Sequence, residues 1–314
     1  MPRIADAFID NAVYLYSKRE DAERGIGTGG SGFLVHVPFR ETENMQQTYV
    51  VTNRHVVYQT PTPVIRLNKI DGTALGYVTN QSDWTVHPEG DDLAVIPIPM
   101  NRKEVRCMSI GLDRFVTKEL IEDEDIGIGD DTVMIGRFIG HDGRQRNTPA
   151  VRFGNIAMMP YEKIKIADGT EQESFLVELR SVPGYSGSAV YIYSPNAMQD
   201  MSMRRSGQSM AALSEFNLFG PDAQRHIDLM DLKIAPKGPY LLGIDFCHLN
   251  NTVGVRNAAD QPHPEGLFVR ENAGMAGVVP AWKISELFNS DTLTNARYEL
   301  EDRLARQRQE LEKQ

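Results

Sequence analysis

The stretch VPGYSGSAVYI, residues 182–192, decides between two folds. Ser186 sits between Tyr185 and Gly187, in a segment that opens on Val182-Pro183-Gly184. Pro and Gly are turn residues, so a tight turn presents this serine. A G-x-S-x-G nucleophile elbow of the α/β-hydrolase kind has a helix directly after its serine. Here Ser188 replaces the last glycine, and the chain continues through Ala189, Val190, Tyr191 and Ile192 to Pro195. That β-branched and aromatic run reads as a strand. The alternative order Ser186, Asp245, then His248 or His263 is therefore set aside.

Outward from this stretch, strand signals recur at short intervals. Before it stand NAVYLY, GFLVHV, TYVVTN, PVIRLN, TALGYVT and DLAVIPI, then DTVMIGRF, AVRFGNIAMM and SFLVELR; YLLGIDFC follows it. Helical periodicity is scarce among them, which indicates an antiparallel barrel or sandwich. A short helix is expected within residues 3–10, and SKREDAERG reads as a charged loop. The acidic segment 115–125 reads as a connection between two halves. Residues 195–238 are polar, carry Met198, Met201, Met203 and Met210, and read as a surface insertion or a lid. The chain ends in helices. PAWKISELFN has helical spacing, and the charged tail offers Glu299–Arg303 and Asp302–Arg306 as i,i+4 pairs, with Leu300, Leu304 and Leu311 as a thin apolar seam.

GIGTGGSGFLVHV, residues 25–37, contains Gly27, Gly29 and Gly32 in the spacing G-x-G-x-x-G. A dinucleotide site needs that motif to open a helix. Here it runs into Phe33-Leu34-Val35, a strand, so the glycines serve a tight turn and close packing.

Composition narrows the function. The chain has 314 residues and a formal net charge of −10, which disfavours nucleic acid and anionic membranes as partners. No segment has the apolar length of a membrane span, and the start lacks the pattern of a signal peptide. Two cysteines, Cys107 and Cys247, exclude a disulfide scaffold and suit a reducing, cytoplasmic setting. No spaced Cys/His cluster or H-E-x-x-H is present, so neither a metal nor another cofactor is expected.

Three segments supply the parts of a nucleophilic site. VVTNRHVV puts His55 just beyond a strand, GDDLAVIPI puts Asp91 and Asp92 just before one, and VPGYSGSAVYI carries Ser186. A serine hydroxyl needs a base, a group that orients that base, and donors for the developing oxyanion.

With these motifs the chain resembles the trypsin-like serine proteases of the chymotrypsin fold, and within them the bacterial HtrA-like branch without its PDZ domain. The resemblance runs from about Asn11 to Phe288, on GSGFLV, VVTNRHVV, DDLAVIPI, GDDTVMIGRF, PGYSGSAV, LLGIDF and GMAGVVPAWKISELF. It implies an all-β architecture of two antiparallel six-stranded barrels. Residues 1–115 would form the barrel bearing His55 and Asp92, and 116–126 the linker. Residues 127–289 would form the barrel bearing Ser186, interrupted by 195–238, and 290–314 a charged helix. It implies Ser186 as nucleophile, His55 as base, Asp92 rather than Asp91 as its orienting group, and the N–H groups of Gly184 and Ser186 as oxyanion hole. Arg180 and the strand Gly243-Ile244-Asp245 would line the substrate cleft, with Asp245 either near the pocket or facing solvent. Tyr185 stands where digestive members have the aspartate that pairs with a new N-terminus. The implied function is a serine endopeptidase acting on proteins or peptides. A second expectation is a latent protease-fold module that binds partners, with the C-terminal helix as a surface for an activator or for self-association.

Overall fold

The computed structural model describes residues 4–27, 29–42, 45–101, 103–141, 143–165, 169, 171–192, 239–257 and 260–312. The expected insertion at 195–238 lies outside the described residues.

The first half forms an eight-stranded sheet. Its strands are β1 (Ala12–Tyr16), β2 (Gly29–Pro38), β3 (Gln46–Thr52), β4 (Val64–Asn68), β5 (Ala74–Val78), β6 (Thr85–Val86), β7 (Ala94–Pro97) and β8 (Ile110–Gly111). The order is β5-β4-β1-β2-β3-β7-β6, with β8 added beside β2. The second half is a closed barrel in the order β10-β13-β16-β15-β14-β9. Its members are β9 (Asp131–Gly136), β10 (Ala150–Met158), β13 (Phe175–Glu178), β14 (Ala189–Ile192), β15 (Tyr240–Gly254) and β16 (Phe268–Pro280). A separate hairpin pairs β11 (Lys163–Lys165) with β12 (Glu171–Glu173). One of the two expected six-stranded barrels is thus closed by its ladders. The first-half sheet has more strands than expected, and its outer members β5 and β6 share no ladder among the described residues. The cause is local: β6 is two residues long, and both of them pair with β7.

Period-two alternation explains why the strands read as unbroken apolar runs. On β2, Phe33 and Val35 face a core shared by both halves, while Leu34 faces the interior of the first sheet. On β14, Ala189 and Tyr191 face the shared core, while Val190 and Ile192 fill the closed barrel. Strands buried on both faces lose the apolar–polar alternation of a half-exposed sheet. The shared core also takes Ile284, Leu287 and Phe288 of the helix α5 (Ala281–Phe288). Cys107 and Cys247 pack against different clusters.

The helices α1 (Asp6–Ile9), α2 (Arg19–Arg24), α3 (Arg54–Val57) and α4 (Lys118–Asp123) precede it, and α6 (Asp291–Glu312) follows. The expected charged loop at 17–25 is largely α2, closed by Gly25 at φ +61°. In α4 the Thr117 hydroxyl caps the N–H of Leu120 at 3.1 Å. On α6, Asp302 pairs with Arg40 at 3.0 Å, not with the expected Arg306. No helix among the described residues is long and apolar enough to cross a membrane.

Candidate active site

His55 lies on the single-turn helix α3, between β3 and β4. The neighbouring Val56 and Val57 are buried in the first sheet's core, and this anchors the turn while His55 faces outward. Asp92 leads into β7, the neighbour of β3. Its Oδ1 accepts the backbone N–H of His55 at 2.9 Å, and its Oδ2 accepts from His55 Nδ1 at 2.5 Å. A carboxylate only accepts, so Nδ1 carries a proton, and in the neutral tautomer this leaves the lone pair on Nε2. Asn53 Nδ2 donates to the Asp92 carbonyl at 2.9 Å.

Asp91 turns the other way. It lies 3.1 Å from His87 Nδ1 and 3.6 Å from Lys283 Nζ. Glu89, Glu173 and Glu286 also lie within 4 Å of that ammonium. Burial alone would lower the pKa of Lys283; its hydrogen bond to Glu286 and the charge of Asp91 outweigh burial and raise it. Asp91 therefore belongs to a clamp between the two halves, and Asp92 alone meets His55.

The Ser186 segment is two successive turns. Tyr185 N–H donates to the Val182 carbonyl at 3.2 Å, with Gly184 at φ +101°. Ser188 N–H donates to the Tyr185 carbonyl at 2.7 Å, with Gly187 at φ +91°. Positive φ at the third position of each is the type II pattern, which explains Pro183-Gly184 and Ser186-Gly187. Ser186 is half-buried, and its Oγ makes no hydrogen bond among the described residues. The N–H groups of Gly184 and Ser186 likewise find no acceptor there.

The glycine-rich strand carries this loop. Ser31 N–H donates to the Ser186 carbonyl at 2.8 Å, Ser31 Oγ donates to the Gly184 carbonyl at 2.8 Å, and Arg137 N–H donates to Ser31 Oγ at 2.8 Å. Gly30 sits where the two segments meet: a Cβ there would lie 2.7 Å from Val56 and 2.9 Å from the Ser186 carbonyl. The His55 turn and the Ser186 loop are thus brought together across Gly30. Arg137 is fully buried. Its guanidinium donates to the Gly27 carbonyl at 2.8 Å and covers the Tyr16 ring at 4.0 Å.

The other candidates divide. Asp245 is fully buried and does not face solvent. Its Oδ2 accepts from Ser181 Oγ at 2.9 Å, while its backbone N–H and carbonyl pair with the Ser188 carbonyl (2.9 Å) and the Gly187 N–H (2.8 Å). Burial pushes its carboxyl up to about 7, against the opposing pull of Ser181 and His55. Gly243 is pressed against the carbonyl of Val279. Ile244 points into the shared core, a correction to its expected place in a cleft. Arg180 is exposed beyond β13. Tyr185 is fully buried, with the Arg152 guanidinium 4.9 Å above its ring. Gln172 and Ser181 hold site residues but carried no sequence signal.

No protein-family profile matches the chain. No curated protein matches it either. Solved structures similar to it are HtrA/Deg-type trypsin-like serine proteases. The MamO protease domain from Magnetospirillum magneticum in its apo form is 13% identical with a TM-score of 0.48, over 90% of this chain and 98% of that one. Rv3671c from M. tuberculosis, as the inactive form of a serine-to-alanine mutant, is 12% identical at 0.44, over 90% and 88%. The HtrA-type protease AlgW with a decapeptide is 13% identical at 0.42, over 90% and 64%.

Proposed function

We propose that this chain is a serine endopeptidase that cleaves protein or peptide substrates through an acyl-enzyme. The observation that carries the proposal is the double contact of Asp92 with His55, which leaves Nε2 as the basic atom beside a loop holding Ser186. In the proposed reaction Ser186 Oγ bonds to the scissile carbonyl carbon as Nε2 takes its proton. The carbonyl oxygen gains charge and is held by the N–H groups of Gly184 and Ser186. The C–N bond then breaks, and the amine leaves with the proton from His55. Water repeats the sequence on the ester, freeing Ser186. Asp92 keeps the imidazole in one tautomer and stabilises its cation. The first-half sheet serves as the counterpart of the closed barrel, with the cleft between them, and the proposed setting is the cytoplasm.

A second reading, a latent form awaiting a partner, is favoured by one observation: Ser186 Oγ makes no hydrogen bond to His55. Such bonds are often long in unliganded enzymes and tighten when substrate binds. Fluorophosphonate labelling with intact-mass readout separates the two. One adduct, absent in Ser186→Ala, supports the assembled protease. A folded protein that takes none supports the latent form.

A further inference from the structure

Gln172 belongs to β12 in the second half, yet its side chain reaches the two aspartates of the first. It is 1% exposed. Its Oε1 accepts the backbone N–H of Asp92 at 3.1 Å. Its Nε2 donates to Asp91 Oδ1 at 2.8 Å and to the Glu173 carbonyl at 3.1 Å. The amide therefore grips both aspartates from one point. Asp92 is then held on two sides: Gln172 takes its N–H, and Asn53 takes its carbonyl at 2.9 Å. With the backbone fixed at both peptide groups, the carboxylate is delivered to His55 with one oxygen on the backbone N–H and the other on Nδ1. An amide does this without adding a charge beside the Asp92–His55 pair, and it supplies at once the acceptor for the Asp92 N–H and two donors, for Asp91 and the Glu173 carbonyl.

We propose that Gln172 is a positioning residue for the His55–Asp92 pair, supplied across the inter-half boundary by the β11–β12 hairpin. It acts through Asp92 and touches no reacting atom. The inference rests on the reading of that pair as the base of a serine protease, but its geometry can be tested apart from activity. Since the hairpin is not part of either large sheet, its seating against residues 91–92 sets how well the carboxylate faces the imidazole. Small displacements of a catalytic group cost much rate, about 100-fold for an ångström.

The test uses the full chain and three variants. Gln172→Met keeps the volume and removes both polar ends. Gln172→Glu keeps an acceptor for the Asp92 N–H and sets a carboxylate against Asp91. Glu89→Gln weakens the exposed rim of the Lys283 clamp without touching Gln172. Two readouts apply: the downfield proton resonance of His55 Nδ1, expected from a short bond to a carboxylate, and the rate of fluorophosphonate labelling at Ser186. Circular dichroism reports folding. Gln172→Met should lose the downfield proton and label roughly 10–100-fold more slowly at unchanged fold. Gln172→Glu, whose carboxylate has no proton to give Asp91 and repels it, should also lose the downfield proton and label more slowly, and Glu89→Gln should keep both. A folded Gln172→Met that retains the wild-type proton and rate overturns the proposal. Should Gln172→Met fail to fold, Gln172→Glu decides: a folded variant that keeps the wild-type proton and labelling rate overturns the proposal, and one that loses both, while Glu89→Gln keeps them, supports it. If the wild type shows the proton, loses it in Gln172→Met and never labels, the role of Gln172 stands and the protease reading falls.

Discussion

Ser31 Oγ donates to the carbonyl of Gly184 across 2.8 Å and accepts the N–H of Arg137 across 2.8 Å. One hydroxyl of the first sheet therefore ties the loop that presents Ser186 to the end of β9. The contact fixes the Gly184–Tyr185 peptide, the one that follows the Gly184 N–H proposed as an oxyanion donor, and so limits how that residue can turn. Ser31→Ala leaves a buried carbonyl and a buried N–H without that partner, each worth about 1–3 kcal/mol. We expect a folded but less stable protein whose labelling at Ser186 slows more than its thermal midpoint falls. Labelling at the wild-type rate would mean that backbone pairing alone orients the loop.

Asp91 and Asp92 are neighbours with different partners, and this separates their mutants. Asp92→Asn keeps the shape but presents an amide to Nδ1, favouring the wrong tautomer. In chymotrypsin-type enzymes the corresponding change costs about 10⁴ in kcat, and a loss of at least about 10² is expected here. Asp91→Asn removes charge from the Lys283 clamp and should lower stability while leaving most of the labelling rate. Peptidase assays beside urea unfolding check both, and the reverse ranking would exchange the roles.

Much of this site was legible because its parts are short and local. The Pro183-Gly184 and Ser186-Gly187 pairs are the chemistry of two type II turns, and TNRHVV places a histidine at the end of a strand. What stayed hidden depends on long-range contact. The approach of Gln172 to Asp92 joins residues 80 positions apart, from a stretch whose acidic composition gave no strand alternation. Gly-rich β16 was hidden for a related reason: FVRENAGMAGVVP packs by backbone closeness, and its Gly277 leaves room for Phe246 and Cys247. The helix α2 was masked by charges that read as a solvated loop, though Ala22 is buried.

Asp245 links stability to pH. Its carboxyl is raised from 3.8 to about 7, with burial as the largest cause. Between those values the native chain holds a proton that the unfolded chain has released. Stability therefore falls as pH rises through that window. Asp245→Asn keeps the shape and removes the titration. The variant should match the wild type near pH 4 and melt at a clearly higher temperature at pH 8. Melting curves from pH 4 to 8 check it, and parallel wild-type and variant curves across the range would refute the linkage.

Glu301 ties α6 to the turn between β2 and β3. Its carboxylate accepts the backbone N–H groups of Glu41 at 2.8 Å, Thr42 at 3.0 Å and Arg40 at 3.3 Å, in the turn between β2 and β3. Leu300 and Leu304 border the same seam, beside Phe39, Ile98 and Met100. Burial would raise the Glu301 carboxyl, but those N–H groups outweigh it and hold it below the ordinary glutamate value. A lowered native pKa contributes stability that is present above the unfolded value of about 4.5 and is lost as pH falls through the native one. Glu301→Ala removes charge-assisted hydrogen bonds worth about 1.5–3 kcal/mol each. At neutral pH we expect the variant to release α6, seen as faster proteolysis and amide exchange within 291–312, while labelling at Ser186 changes little. The wild type should show the same release only in acid. Helix protection in Glu301→Ala equal to wild type at pH 7 would shift the docking to the apolar seam.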